Sequence, residues 1–229
     1  MEIGEKEAAG MDLEKCFPVW DRLTDAEREL MKSSAVKRKV EKGRVLSKGS
    51  GECLGLVIVT KGQLRAFILS EGGREITLFR LFELDFCLFT ASCIFGGMHF
   101  DVSVEAEKDT EFWLIPPNVY QSLMESSAAV ANYTNKLMAS RFADVMWLME
   151  QTLFTSFDKR LAAFLLEESA IEGSDRLTIT HERIANHLGS AREVVTRMLK
   201  YFQNEGAVKL SRGAVEITDG KKLAKIAGE

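Results

Sequence analysis

At the Pro116-Pro117 pair the apolar residues change their spacing, from every second residue before it to every third or fourth after it. A period of two alternates side chains between the faces of a strand, and a period near 3.6 gathers them on one side of a helix. The chain is therefore expected to be α+β, a β-rich N-terminal part followed by a helical part. Its 229 residues suit two domains, at about 100–200 residues each.

Ahead of the prolines, Leu56–Thr60 ends at Lys61-Gly62. Leu64–Leu69 leads into Ser70-Glu71-Gly72-Gly73, and Glu75–Phe82 follows, as in a hairpin with a glycine turn. Phe100, Val102, Val104 and Ala106 alternate with Asp101, Ser103, Glu105 and Glu107, a pattern that needs one buried and one wet face. Glu111–Ile115 is the last strand. Short strands so spaced predict a jelly-roll-like β-roll. Residues 1–11 read as a weakly ordered tail. Asp21–Met31 reads as an amphipathic helix capped by Thr24, with Glu27 three residues on and Leu23 and Leu30 as apolar anchors.

Beyond the prolines, Asn118–Met124 reads as a short helix and Ser127–Phe154 as a long one. Met138, Phe142, Val145, Met149 and Leu153 form a stripe along it, with Ala131, Leu137, Trp147 and Leu148 off the stripe. A helix apolar over so much of its circumference needs two partners. One is the roll; the other is most simply the same helix of a second subunit. Burial in a monomeric bundle is the alternative, disfavoured by a β-rich neighbour. Ser156 or Asp158 then caps a helix carrying Leu161, Phe164 and Leu165, and Glu172-Gly173-Ser174 is a loop. The expected divisions are a sensor roll at 12–126, a dimerisation helix at 127–155 and a third region at 156–229.

That third region holds the most informative stretch, Thr180 to Gly206. Thr180 caps a helix whose inner face is Ile184, Ala185 and Leu188. Gly189 permits a left-handed turn, and Ser190 caps a second helix with Val195, Met198, Leu199 and Phe202 inward, stopped at Gly206. Ala207–Leu210, a Ser211-Arg212-Gly213 turn and Ala214–Ile217 make a two-stranded wing. Paired helices joined at such a turn are a helix-turn-helix, whose second helix enters the DNA major groove. The formal net charge of −4 argues against a nucleic-acid ligand. The distribution argues for one: Arg176, Arg183, Arg192, Arg197, Lys200, Lys209 and Arg212 face only Glu182, Glu193 and Glu205 in that segment. Arg192, Glu193 and Arg197 are the candidate base contacts, arginine for guanine O6 and N7 and glutamate for cytosine N4. Glu193 can equally form a capping box with Ser190. Thr180, Ser190, Thr196, Lys200 and Arg212 are the candidate DNA-backbone contacts.

Several classes are excluded. No basic segment followed by an apolar stretch marks a signal peptide, and the longest apolar run, around Ile76–Cys93, is broken by Arg80, Glu83 and Asp85. A cytoplasmic protein without membrane association is expected, with Cys16, Cys53, Cys87 and Cys93 as reduced thiols. No Ser-His-Asp set, metal-spaced His/Glu pattern or glycine-rich phosphate loop is present, and there are only three histidines, so no enzyme is expected.

The order β-roll, long helix, winged helix-turn-helix resembles the Crp/Fnr superfamily of bacterial transcription regulators. The local match is Ile184-Ala185, Leu188-Gly189-Ser190, Arg192-Glu193, Val195, Arg197 and the Gly206 stop. The resemblance covers roughly residues 15–225. It implies a homodimer on double-stranded DNA, a palindrome with a TGA-like core, RNA polymerase as a partner, and allosteric control through the roll by a small-molecule effector. An interaction module without a transcriptional role is the competing reading.

The roll departs from the cyclic-nucleotide-binding members, which carry a Gly-Glu pair and an arginine that clamp ribose and phosphate. Leu84 to Phe100 holds neither, and a buried cyclic phosphate would lack its bidentate partner. Only Cys16 lies N-terminal, against the several cysteines of the cluster-binding Fnr branch. No cofactor or metal is therefore required. Haem, or redox thiols at Cys87 and Cys93, is the alternative to plain burial of these cysteines, and His99 reads as a turn residue. Phe79, Phe86, Cys87, Phe89, Cys93 and Phe100 are candidates for an effector pocket and are equally explained as roll core.

Overall fold

The computed structural model describes residues 11–48, 54–88 and 102–228. Of these, the residues within Met1–Ile68 and Leu78–Val145 form one compact unit, and those within Leu69–Thr77 and Met146–Glu229 form a second.

The first unit opens with α1 (Leu13–Cys16), a 3-10 turn at Trp20–Arg22 and α2 (Asp25–Ser34). The single helix expected over Asp21–Met31 is thus two elements. Thr24 takes the extended conformation of an N-cap, so no helix passes through it. Its hydroxyl accepts from the Glu27 amide at 3.3 Å, and the Glu27 carboxylate accepts from the Thr24 amide at 2.9 Å. Leu23 is buried as expected, but Leu30 is exposed and Met31 fills the core in its place.

The strands are β1 (Val36–Val40), β2 (Val45–Lys48), β3 (Leu56–Lys61), β4 (Leu64–Leu69), β5 (Glu75–Leu81), β6 (Phe86–Cys87), β7 (Val102–Ala106) and β8 (Thr110–Ile115). They form two four-stranded sheets, ordered β1-β8-β3-β6 and β2-β7-β4-β5. Val102, Val104 and Ala106 point inward from β7 and meet Val57, Val59, Leu64 and Leu81 in a core drawn from both sheets. The other face of β3 carries Leu56 and Ile58, which pack with Phe17, Met31, Tyr120 and Leu123 in a second core. Both faces of β3 are therefore covered, which is why Leu56–Thr60 reads as a continuous apolar run rather than an alternation. Inside the roll the charges are paired: Arg65 lies 2.8 Å from Glu105, and Arg80 lies 3.1 Å from Glu107.

Pro116 and Pro117 end β8 and begin α3 (Pro117–Ser126), where a fixed φ and a missing amide suit the first helical position. The long helix α4 (Ala128–Phe154) follows. Val130 and Thr134 are buried against the first unit, with the Thr134 hydroxyl 2.6 Å from that of Tyr120. Along the expected stripe Met138 and Val145 are half-buried, whereas Phe142, Met149 and Leu153 are 69%, 49% and 63% exposed. The boundary between the two units falls within α4, between Val145 and Met146.

The second unit contains α5 (Phe157–Glu172), β9 (Arg176–Leu177), α6 (His181–Leu188), α7 (Arg192–Asn204), β10 (Val208–Ser211), β11 (Ala214–Ile217) and α8 (Gly220–Ala227). Leu161 and Leu165 of α5, Ile184 and Ala185 of α6, Val195, Leu199 and Phe202 of α7, Val215 and Leu223 make one core. The wing differs from the two-stranded expectation. β9 pairs with β11 through Leu177 and Val215, giving a three-stranded sheet ordered β10-β11-β9. Among the described residues no helix is long and apolar enough to cross a membrane.

Candidate nucleic-acid interface

The geometry of the site begins at the end of α6. Thr180 caps its start, accepting from the Arg183 amide at 3.1 Å. Gly189 ends it in the left-handed region at φ +65°, and the Ser190 amide donates back to the Ala185 carbonyl at 3.0 Å. The Val194 and Val195 amides both donate to the Ala191 carbonyl, so Ala191 is the N-cap of α7, with no side-chain hydrogen bond. The expectation that Ser190 caps the second helix is corrected on this point. Glu193 consequently sits at the second helical position, not the third, and the capping-box reading of that residue falls away. At the far end Gly206, at φ +71°, closes α7, with the Ala207 amide donating to the Phe202 carbonyl at 2.9 Å.

Val195, Leu199 and Phe202 occupy the core, so the opposite side of α7 faces outward. Arg192, Glu193, Arg197 and Lys200 are all exposed there. Together with Thr196, Tyr201 and Asn204 they line one open, shallow strip. Tyr201 and Asn204 were missed by sequence reasoning, although they lie four residues after Arg197 and Lys200 and so extend the same face. Thr196, an expected backbone contact, has its hydroxyl engaged within the unit. Its hydroxyl donates to the Arg192 carbonyl at 2.8 Å and lies 2.9 Å from His181 Nδ1. Arg212 is exposed in the two-residue turn between β10 and β11, whose register pairs Ser211 with Ala214. The Leu210 amide donates to Gln203 Oε1 at 3.0 Å and ties the wing to α7.

The segment Leu69–Thr77 belongs to this unit. Ile76 bridges Leu188 through the backbone, and Thr77 Oγ1 lies 2.9 Å from His187 Nδ1. A β-carbon at Gly189 would stand 2.9 Å from Ile76 Cδ1. Arg160 completes the surround by donating to the Leu188 carbonyl at 3.2 Å. The helix-turn-helix turn is thus packed from outside as well as from its own core, and no local pattern in the sequence signals that partner.

The effector-pocket candidates separate. Phe79 and Cys87 lie in the core between the sheets, while Phe86 lies in the other core, its ring 6.0 Å from Phe17 and 5.2 Å from Tyr133. Phe86 and Cys87 are neighbours on one strand, paired with Ile58 and Val57, and so point to opposite faces. The described candidates are thus divided between two cores. Phe89, Cys93 and Phe100, with Cys53, His99 and the tail at 1–10, lie outside the described residues. Among the described residues no group of three or more His, Cys, Asp or Glu is placed to hold a metal ion.

A helix-turn-helix with an exposed basic strip on its second helix and an arginine-tipped wing defines a winged-helix DNA-binding unit. A family model described as a Crp-like helix-turn-helix domain matches residues 159–226, and one described as a cyclic nucleotide-binding domain matches residues 37–127. The transcriptional activator protein anr of Pseudomonas aeruginosa is 30% identical over 208 residues, covering 82% of each chain. The cyclic AMP receptor protein of Thermus thermophilus is 27% identical over 213 residues, 93% of this chain and 98% of that one. A crystal structure of a Crp/Fnr-family transcriptional regulator from Eubacterium rectale is 55% identical, superposes with a TM-score of 0.92, and covers 94% of this chain and 100% of that one. The chain belongs to the Crp/Fnr superfamily of transcription regulators and is a DNA-binding regulator of that type.

Gly189→Ala tests the turn. A β-carbon at this φ costs about 1–2 kcal/mol, and Ile76 must also move. Urea unfolding should show a stability loss of at least about 1 kcal/mol, together with weaker DNA binding. An unchanged midpoint would show that the turn is not constrained in this way.

Proposed function

We propose that this chain acts in the cytoplasm as a homodimer, reads a palindromic DNA site through α7, and responds to a small-molecule effector other than cyclic AMP taken up by the roll. The observation that carries the reading is the outward placement of Arg192, Glu193 and Arg197 on a helix whose other face is consumed by the core. Arg197 lies on the second turn of the exposed face and is assigned to a guanine; Arg192 and Glu193 at the helix start meet neighbouring base edges. Lys200 and Arg212 meet phosphates and position the unit without reading sequence.

The dimer rests on α4. Phe142, Met149 and Leu153 are exposed at steps of seven and four residues, an apolar ridge that a second copy of the helix would cover. The effector assignment rests on charge. A cyclic phosphate needs a buried guanidinium, and Arg65 and Arg80 of the roll are already paired with Glu105 and Glu107. By resemblance to the family, RNA polymerase is the partner through which DNA binding acts on transcription.

Three measurements follow from these assignments. Selection on random duplex DNA should recover palindromes with a TGA-like core, and Arg197→Ala should cost about 1–3 kcal/mol and relax preference at one guanine. Non-palindromic sites would refute the dimeric reading, and recovery of no site would refute DNA recognition. Native mass spectrometry should give a dimer that the double change Phe142→Glu and Leu153→Glu converts to monomer; a monomeric parent protein would contradict the role given to α4. Calorimetry with cyclic AMP should show no specific binding, and micromolar affinity would overturn that part of the proposal.

A further inference from the structure

His181 is the first residue of α6 and is only half-buried. Its Nδ1 lies 2.9 Å from Thr196 Oγ1. A threonine hydroxyl has one hydrogen to give, and here it goes to the Arg192 carbonyl. The hydroxyl therefore accepts from His181, which fixes the neutral ring as the Nδ1–H tautomer and leaves Nε2 with a lone pair. Among the described residues Nε2 makes no hydrogen bond to protein, and the ring is only half-buried. Through Thr196 and Arg192 the ring borders the exposed strip of α7.

We infer that His181 is a DNA-contacting residue that takes up a proton on binding and presents Nε2–H to a backbone phosphate. The inference rests on the DNA-binding reading above. In helix-turn-helix docking the second helix enters the groove while the first crosses the sugar-phosphate backbone. The start of α6 is then the part that meets phosphate, beside the strip that meets bases. A lone pair at Nε2 repels a phosphate oxygen, and a protonated Nε2 gives it a charge-assisted hydrogen bond.

The charges around the ring set the direction. Arg192 of α7 acts on it from the facing helix, and Glu182 and Arg183 adjoin it on α6. Burial, and then the Arg192 guanidinium, hold the imidazole below its usual value near 6.5, so the free protein carries it neutral at neutral pH. A phosphate at Nε2 raises it. The folded, DNA-bound form thus has the higher value and the free form the lower. The gain in affinity is complete below the value in the free protein and is lost as pH rises through the value in the complex.

The test is fluorescence anisotropy of the full-length protein at constant ionic strength, from about pH 5.5 to about pH 8. The probes are the duplex recovered by selection and an unrelated duplex, since a phosphate contact serves both. Affinity of the parent protein should fall with rising pH, at a slope that reaches at most about tenfold per pH unit for each His181 protonated, one in each subunit of the dimer. His181→Gln should flatten that dependence and bind more weakly at the acid end. His181→Arg, with a permanent charge, should be flat and retain tight binding at the alkaline end. A purely structural role would instead lower affinity equally at every pH. The inference is overturned if His181→Gln titrates like the parent on both duplexes, or if the parent shows no pH dependence. Failure of the parent to bind any duplex would overturn the DNA-binding reading itself, and this inference with it.

Discussion

The relation between α6 and α7 is governed by a tight reversal at Gly189, held between two buried faces. Ile184 and Ala185 on one helix meet Val195, Leu199 and Phe202 on the other, and only a residue free to adopt a left-handed conformation joins them in so short a distance. Once the inner faces are committed, the outer row from Arg192 to Asn204 has nowhere to go but solvent. A protein of net negative charge can carry a DNA-facing surface on these terms. Local geometry collects Arg192, Arg197 and Lys200 on one strip that carries a single carboxylate, Glu193.

The same economy operates in the roll. β3 is covered on both faces, by the opposite sheet and by the helices that precede and follow the strands. The arginines that enter this interior do so with carboxylate partners, as burial of a lone charge would demand. Such a roll is a stable scaffold before any ligand is considered, and its chemistry toward an effector has to come from groups not already consumed in holding it together.

Much of this architecture was legible in the chain because it follows from periodicity. The alternation of Val102, Val104 and Ala106, the Thr24 capping box and the Gly189 and Gly206 stops each encode a local geometry that survives in the fold. What escaped depends on distant contacts. β1 reads as a charged segment, Val-Lys-Arg-Lys-Val, and becomes a strand because β8 offers it a ladder from Val36↔Leu114 to Val40↔Thr110. β9 has only two residues and exists because β11 pairs with it. α8 starts where Asp219 accepts from the Lys222 amide, a cap too common in loops to stand out alone. Ser190 has the residue type of a cap, but the first carbonyl to accept within α7 is that of Ala191, one residue on. At the site, the exposed cations were readable from helical spacing. The ring of His181 that meets Thr196 and the packing of Ile76 near the turn were not, since each joins residues of different elements.

The central claim is that the exposed face of α7 lies in the major groove. Guanine-N7 methylation protection on a bound duplex reports that directly, because N7 opens only to that groove. The account predicts two protected guanine patches about one helical turn apart, related by two-fold symmetry. Binding that leaves every guanine N7 reactive would contradict it.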